Sequence, residues 1–173
     1  MGFKKAFGPL DDDDRLTLDN IERFGWSCPI IDDDAEGPGF GYSVGLMATL
    51  EHPELILFGL RRDRIHGILS GMVKMMREGA RFQPRTRHDG VLEGYPVHIS
   101  PVHETWHEVY LGFAMWHRRY VGKTGDLQAV QVVWPDMQGQ FPWTPGFQPG
   151  ARTRQPNLSL PRENDAEHAP FDW

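Results

Sequence analysis

The sequence contains one cysteine, Cys28, in 173 residues. No intramolecular disulfide can form. Cys28 lies in Ser27-Cys28-Pro29 with no second cysteine at a metal-binding or redox spacing. This excludes a disulfide-stapled fold and a CxxC centre. It points to a reducing, cytoplasmic setting, with Cys28 an inert, half-buried thiol. A run of about 18 apolar residues is also missing, so no membrane span is expected. Met1–Leu10 has lysines at 4 and 5 but no apolar stretch after them, unlike a secretory signal. Positive charge is scarce: 18 Lys and Arg stand against 24 Asp and Glu, a net charge of −6. That balance argues against a nucleic-acid binder, which usually carries a basic face. The one basic cluster, Arg81, Arg85, Arg87 and His88, reads as a solvated loop. There is no internal repeat and no GxGxxG phosphate loop.

What the chain has is aromatic side chains, glycine and proline, with 10 Phe, 6 Trp, 19 Gly and 14 Pro. Its length fits one domain, which can bury roughly 70% of its unfolded surface without a staple. The strongest local signal is Leu127–Trp143 (LQAVQVVWPDMQGQFPW). It reads as a buried strand, a Pro-Asp turn and an aromatic-proline return.

The other elements follow from period and punctuation. Asp13 or Asp14 caps a short helix with Leu16, Ile21 and Phe24 on its apolar side, ending at Gly25. Trp26–Ile31 and Phe40–Leu46 make a hairpin around the turn Asp32–Gly39. Glu54–Leu60 (ELILFGL) is a continuous apolar run and reads as a central strand. Asp63–Gly79 is a helix, with Ile65, Ile68, Leu69, Met72 and Met76 on one face and its methionines as core filler. Ala80–Gly94 reads as a long polar loop, and Tyr95–Val102 as a strand. Thr105–Tyr120 reads as one helix with an aromatic stripe that includes His117, a core histidine. Past Trp143 the prolines multiply and the period is lost.

The expected architecture is therefore a single α+β domain. A mostly antiparallel sheet of about five strands is packed by two long helices, with a short N-terminal helix and an extended C-terminal tail. The expected boundaries are an arm over 1–12, a core over 13–147 and a Pro-rich tail over 148–173, which wraps the domain or binds another chain. The core is expected to contain Trp26, Val44, Leu55, Leu57, Ile68, Met72, Ile99, Phe113, Val130 and Val132.

Two motifs invite chemistry. His103-Glu104-Thr105-Trp106-His107 is literally HExxH. On a helix, its histidines would share a zinc ion and Glu104 would act as general base. The context is poor. His103 follows Pro101 and a strand, and the positions where a longer zinc motif supplies glycine and a third histidine are Tyr110 and Phe113. Glu163 lies in the tail, and Asp126 is the nearest candidate acid. Gly41-Tyr42-Ser43-Val44-Gly45 is formally GxSxG, but it reads as strand interior rather than a strand-to-helix elbow. The remaining polar and aromatic groups at strand ends and in the Pro-Asp turn are Tyr42, Ser43, His52, Trp134, Asp136 and Trp143. These are the candidate ligand-binding residues. Trp134 and its neighbours read first as a clamp on the core and second as a flat apolar site.

Five segments together resemble a bacterial family described as a domain of unknown function, DUF4262. They are GFGYSVGL (39–46), HPELILFGL (52–60), EGYPV (93–97), YLGFAMW (110–116) and LQAVQVVWPDMQGQFPWTPGF (127–147). The RQPNLS stretch (154–159) fits as well, and the WPD…G.FPW block is the most specific. The resemblance implies a compact α+β domain and carries no activity, and its histidine segment is not a family motif.

The expected function is a non-catalytic ligand- or protein-binding module with no cofactor. Its partner is an unidentified protein or small molecule, neither nucleic acid nor membrane, and a homodimer is left open. Two enzyme alternatives remain. One is a flavin-like cofactor enzyme on a split-barrel-like sheet; the other is a zinc-dependent hydrolase using His103, Glu104 and His107.

Overall fold

The computed structural model describes residues 8–162 and 171–173. Positions 1–7 of the expected arm and 163–170 of the expected tail lie outside the described residues. In chain order the elements begin with α1 (Asp12–Phe24), β1 (Ile30–Ile31), β2 (Phe40–Tyr42), α2 (Leu46–Thr49), β3 (Glu54–Phe58) and α3 (Arg62–Arg77). There follow β4 (Thr86–Leu92), β5 (Tyr95–Pro101) and a 3-10 turn over Glu104–Trp106. The last are α4 (His107–Tyr110), α5 (Gly112–Tyr120), β6 (Ala129–Val133) and α6 (Pro149–Arg152).

The strands form one sheet in the order β1-β2-β3-β6-β5-β4. Four of its pairings are antiparallel. The central one, β3 with β6, is parallel, with Leu55 opposite Val130. Both central strands are buried along their whole length. Alternate residues serve opposite faces, as strand geometry requires. Leu55, Leu57, Val130 and Val132 join Ile65, Leu69 and Met72 of α3 in one cluster. Ile56, Phe58 and Ala129 point the other way, toward Tyr42, Trp106, Leu111 and Leu158. A sheet covered on both faces explains why these strands are continuous apolar runs rather than alternating ones.

The α+β class, the single domain and the mostly antiparallel sheet match the sequence reading. The details differ in four places. The sheet has six strands, because β4 occupies the stretch expected to be a polar loop; its burial alternates, as an edge strand's does. The helix expected over 105–120 is broken: Leu111 leaves helical geometry (φ −119°, ψ 35°) between α4 and α5. In α1 the cap is Asp11, whose carboxylate accepts from the Asp14 N–H while Asp14 accepts from the Asp11 N–H. Leu16 and Phe24 of that helix are more than half exposed, so its expected apolar side is not its buried side. Finally, β2 ends at Tyr42, short of the expected Leu46.

Residues 154–162 run across the sheet face opposite α3. Gln131 of β6 donates to the Pro156 carbonyl and accepts from the Leu158 N–H. Gln155 accepts from the Trp134 N–H and donates to the Trp134 carbonyl. Both glutamines and Leu158 are fully buried. The Leu158 carbonyl takes the His103 N–H, and the Leu160 carbonyl takes the Trp106 indole N–H. Two buried amides thus satisfy a segment that no strand pairs with.

Candidate functional site

The expected site residues do not meet in one place. Ser43 lies just beyond β2, and Gly45 (φ +105°) then opens α2. This is a strand-to-helix junction, not the strand interior expected from sequence. The hydroxyl is nevertheless committed. It donates to Glu54 Oε2 at 2.5 Å and accepts from the Leu55 N–H at 2.8 Å, with no exposure. Glu54 Oε1 accepts from the N–H groups of Gly45 (3.0 Å) and Met47 (3.3 Å). Glu54 is 2% exposed. Burial pushes its carboxyl up to about 7, against the opposing pull of the Ser43 hydroxyl and the Met47, Gly45 and Leu46 amides. No histidine among the described residues is a partner of Ser43, so there the formal GxSxG lacks the base a serine nucleophile needs. Gly45 is required here: besides its positive φ, a Cβ would sit 3.1 Å from the Ile21 side chain.

His52 is a structural bridge. Its Nδ1 lies 2.7 Å from the Pro53 carbonyl, and its Nε2 accepts from the Phe82 N–H at 3.0 Å. That acceptor role fixes the neutral ring with the proton on Nδ1. Burial lowers its pKa further. Trp134 is 9% exposed and donates its indole N–H to the Phe58 carbonyl at 2.8 Å, tying the end of β6 to the end of β3. Asp136 holds the following turn: its Oδ1 accepts from the N–H groups of Gln138 and Gln140, both at 2.9 Å. Trp143 stacks on Phe141 at 4.9 Å, and packs near His98 and Trp173.

The HETWH segment is divided between three local conformations. His103 is a cap whose Nδ1 accepts from the Thr105 N–H, Glu104–Trp106 is a 3-10 turn, and His107 begins α4. The two rings are therefore not one turn apart on one helix. His107 is buried, and burial lowers its pKa. Among the described residues no group of three His, Cys, Asp or Glu side chains is placed to hold a metal ion. Cys28 is also inert, since burial pushes its thiol up to about 12.

A different place in the fold has the form of a binding site. Where the β1–β2 turn faces the break between α4 and α5, an apolar cavity of about 200 Å³ opens. Phe40, Tyr42, Tyr110 and Phe113 wall it, and Asp32, Asp34 and Glu36 stand at its rim. The walls are held rigidly. Tyr110 meets Phe40 and Phe58 edge-on, at 5.1 Å and 5.0 Å. The Tyr42 hydroxyl accepts the Phe113 N–H at 3.1 Å, one of the first amides of α5. The helix break is thus what opens the wall. Of the six expected binding residues, Tyr42 alone lines this cavity. Sequence reasoning misses the others because Tyr110 and Phe113 fall on a continuous aromatic stripe and Asp32–Glu36 within a turn. The available signal was Leu111-Gly112 within that stripe, a weak point for a helix.

No helix among the described residues is long and apolar enough to cross a membrane. Neither the curated proteins nor the solved structures contain a match to this chain. The family model for the domain of unknown function DUF4262 matches residues 20–148, which include β1 to β6 and every wall of the cavity except Phe171. The chain therefore belongs to the DUF4262 family.

Proposed function

We propose that this protein is a non-catalytic binding module, cytoplasmic and bacterial, whose ligand is a small molecule seated between the β1–β2 turn and the α4–α5 break. One observation carries the reading: a cavity of about 200 Å³ with aromatic walls and few polar groups. An apolar cavity of roughly 150 Å³ holds one benzene. This one has room for a single ring with a short substituent. Binding sites are commonly apolar concavities with a small number of oriented polar groups. The absence of a nucleophile–base pair at Ser43 favours binding over hydrolysis at the neighbouring junction.

The test is a fragment screen by ligand-observed NMR, on the native chain and on Val109→Trp. Val109 is a half-buried residue of the cavity wall, and the larger side chain fills the space. Single-ring fragments are expected to bind the native chain and to lose binding in the filled variant, with melting temperature maintained. Absence of any hit, or hits that persist in the variant, would overturn the reading.

A further inference from the structure

The rim of the cavity specifies charge. Three carboxylates line it, and among the described residues no Lys, Arg or His does. Asp32 is already neutralised by Arg62, whose guanidinium lies 2.9 Å from Oδ2. Asp34 and Glu36 have no ion pair with a described residue. Asp34 spends Oδ1 on the N–H groups of Glu36 (2.8 Å) and Gly37 (3.2 Å), which fixes the turn and holds its carboxylate in place. On the other side of this turn Asp34 and Glu36 also line a second depression, with Arg61 and Arg154, and Arg61 is there held 3.4 Å from Asp63.

An anion entering the cavity would be stripped of water beside two carboxylates that no described residue ion-pairs. A neutral ring would gain only apolar contact. An ammonium carried on a ring gains the field of Asp34 and Glu36 while the ring keeps the apolar contact. Resting on the binding-module reading, we propose that the ligand is a small primary amine with a single-ring apolar body. The ring fills the cavity and the ammonium sits at the rim against Asp34 and Glu36.

The probes are 2-phenylethylamine, 2-phenylethanol and 3-phenylpropanoate, titrated into the full chain at pH 7 by NMR. They share a ring and a similar reach but differ in charge. The amine is expected to bind about tenfold tighter than the alcohol, the combined effect of two exposed charge pairs. The carboxylate is expected to bind weakest. Raising the salt should weaken the amine and leave the alcohol unchanged. The double variant Asp34→Asn, Glu36→Gln should bring the amine to the level of the alcohol. Asparagine retains the side-chain oxygen that accepts the two turn amides, so the loop keeps its shape. Equal binding of amine and alcohol, or an amine indifferent to the double variant, overturns the proposal. Failure of all three probes while other fragments occupy the cavity overturns the charge assignment alone. Failure of every fragment removes the binding-module reading with it.

Discussion

The Ser43 hydroxyl donates to Glu54 Oε2 across 2.5 Å, in a place closed to water. Glu54 opens the central strand, and three donors from the Ser43–Met47 junction converge on it. A charge buried among only neutral donors costs more than one with a cationic partner. This residue therefore sets a pH dependence.

In the folded chain the Glu54 carboxyl titrates at about 7, against an ordinary value of 4.5. Between these values the folded chain holds a proton that the unfolded chain has released. The associated stability is complete below pH 4.5 and is lost as pH rises through 7. The loss is about 3 kcal/mol in total. Denaturant titrations from pH 5 to 8 should show the native chain losing stability relative to Glu54→Gln. Parallel curves for the two proteins would contradict the assignment.

Trp134 joins the ends of the two central strands through the Phe58 carbonyl. Trp134→Ala removes a large buried ring, and should lower stability by about 3–5 kcal/mol. Trp134→Phe retains most of the apolar contact but leaves the carbonyl without its donor, for a loss of about 1–3 kcal/mol. Chemical denaturation measures both. An alanine variant that unfolds at the native midpoint would show that the ring is not a clamp.

Gly59 lets the C-terminal segment lie against the sheet. Its φ is +78°, and a Cβ there would come within 2.5 Å of the Arg154 carbonyl oxygen. Gly59→Ala should cost at least about 1–2 kcal/mol from backbone handedness alone. The contact adds displacement of the chain after Arg154. Hydrogen exchange at the Leu158 amide should accelerate, and trypsin should cut faster after Arg154. Unchanged protection at Leu158 would show that the segment tolerates the added carbon.

How far the sequence discloses this fold depends on what each element buries. The core face of α3 was legible because Ile65, Leu69, Met72 and Met76 keep the helical period and are all buried. Strands β3 and β6 were legible because they are apolar on both faces. Their parallel pairing was not, since periodicity says which residues are buried but not which strand lies alongside. Strand β4 was hidden because an edge strand with an exposed face, TRHDGVL, carries no apolar alternation. The Trp134 clamp could be anticipated from three aromatic side chains around one turn. The buried Glu54 could have been noticed as the one charged residue in ELILF. The cavity was signalled only by Leu111-Gly112, because it depends on a helix break there that brings a turn and two helix ends together.

The parallel pairing also governs how the protein is made. Glu54 lies opposite Ala129, so the first central strand emerges from the ribosome long before its partner. Until then the edge of β3 that β6 will take has no partner, and the Pro156 and Leu158 contacts to Gln131 arrive later still. Contacts so distant in sequence slow folding and prolong exposure of an unpaired strand edge. A nascent chain halted near residue 125 would thus present one open edge of an apolar strand, a natural substrate for holding chaperones.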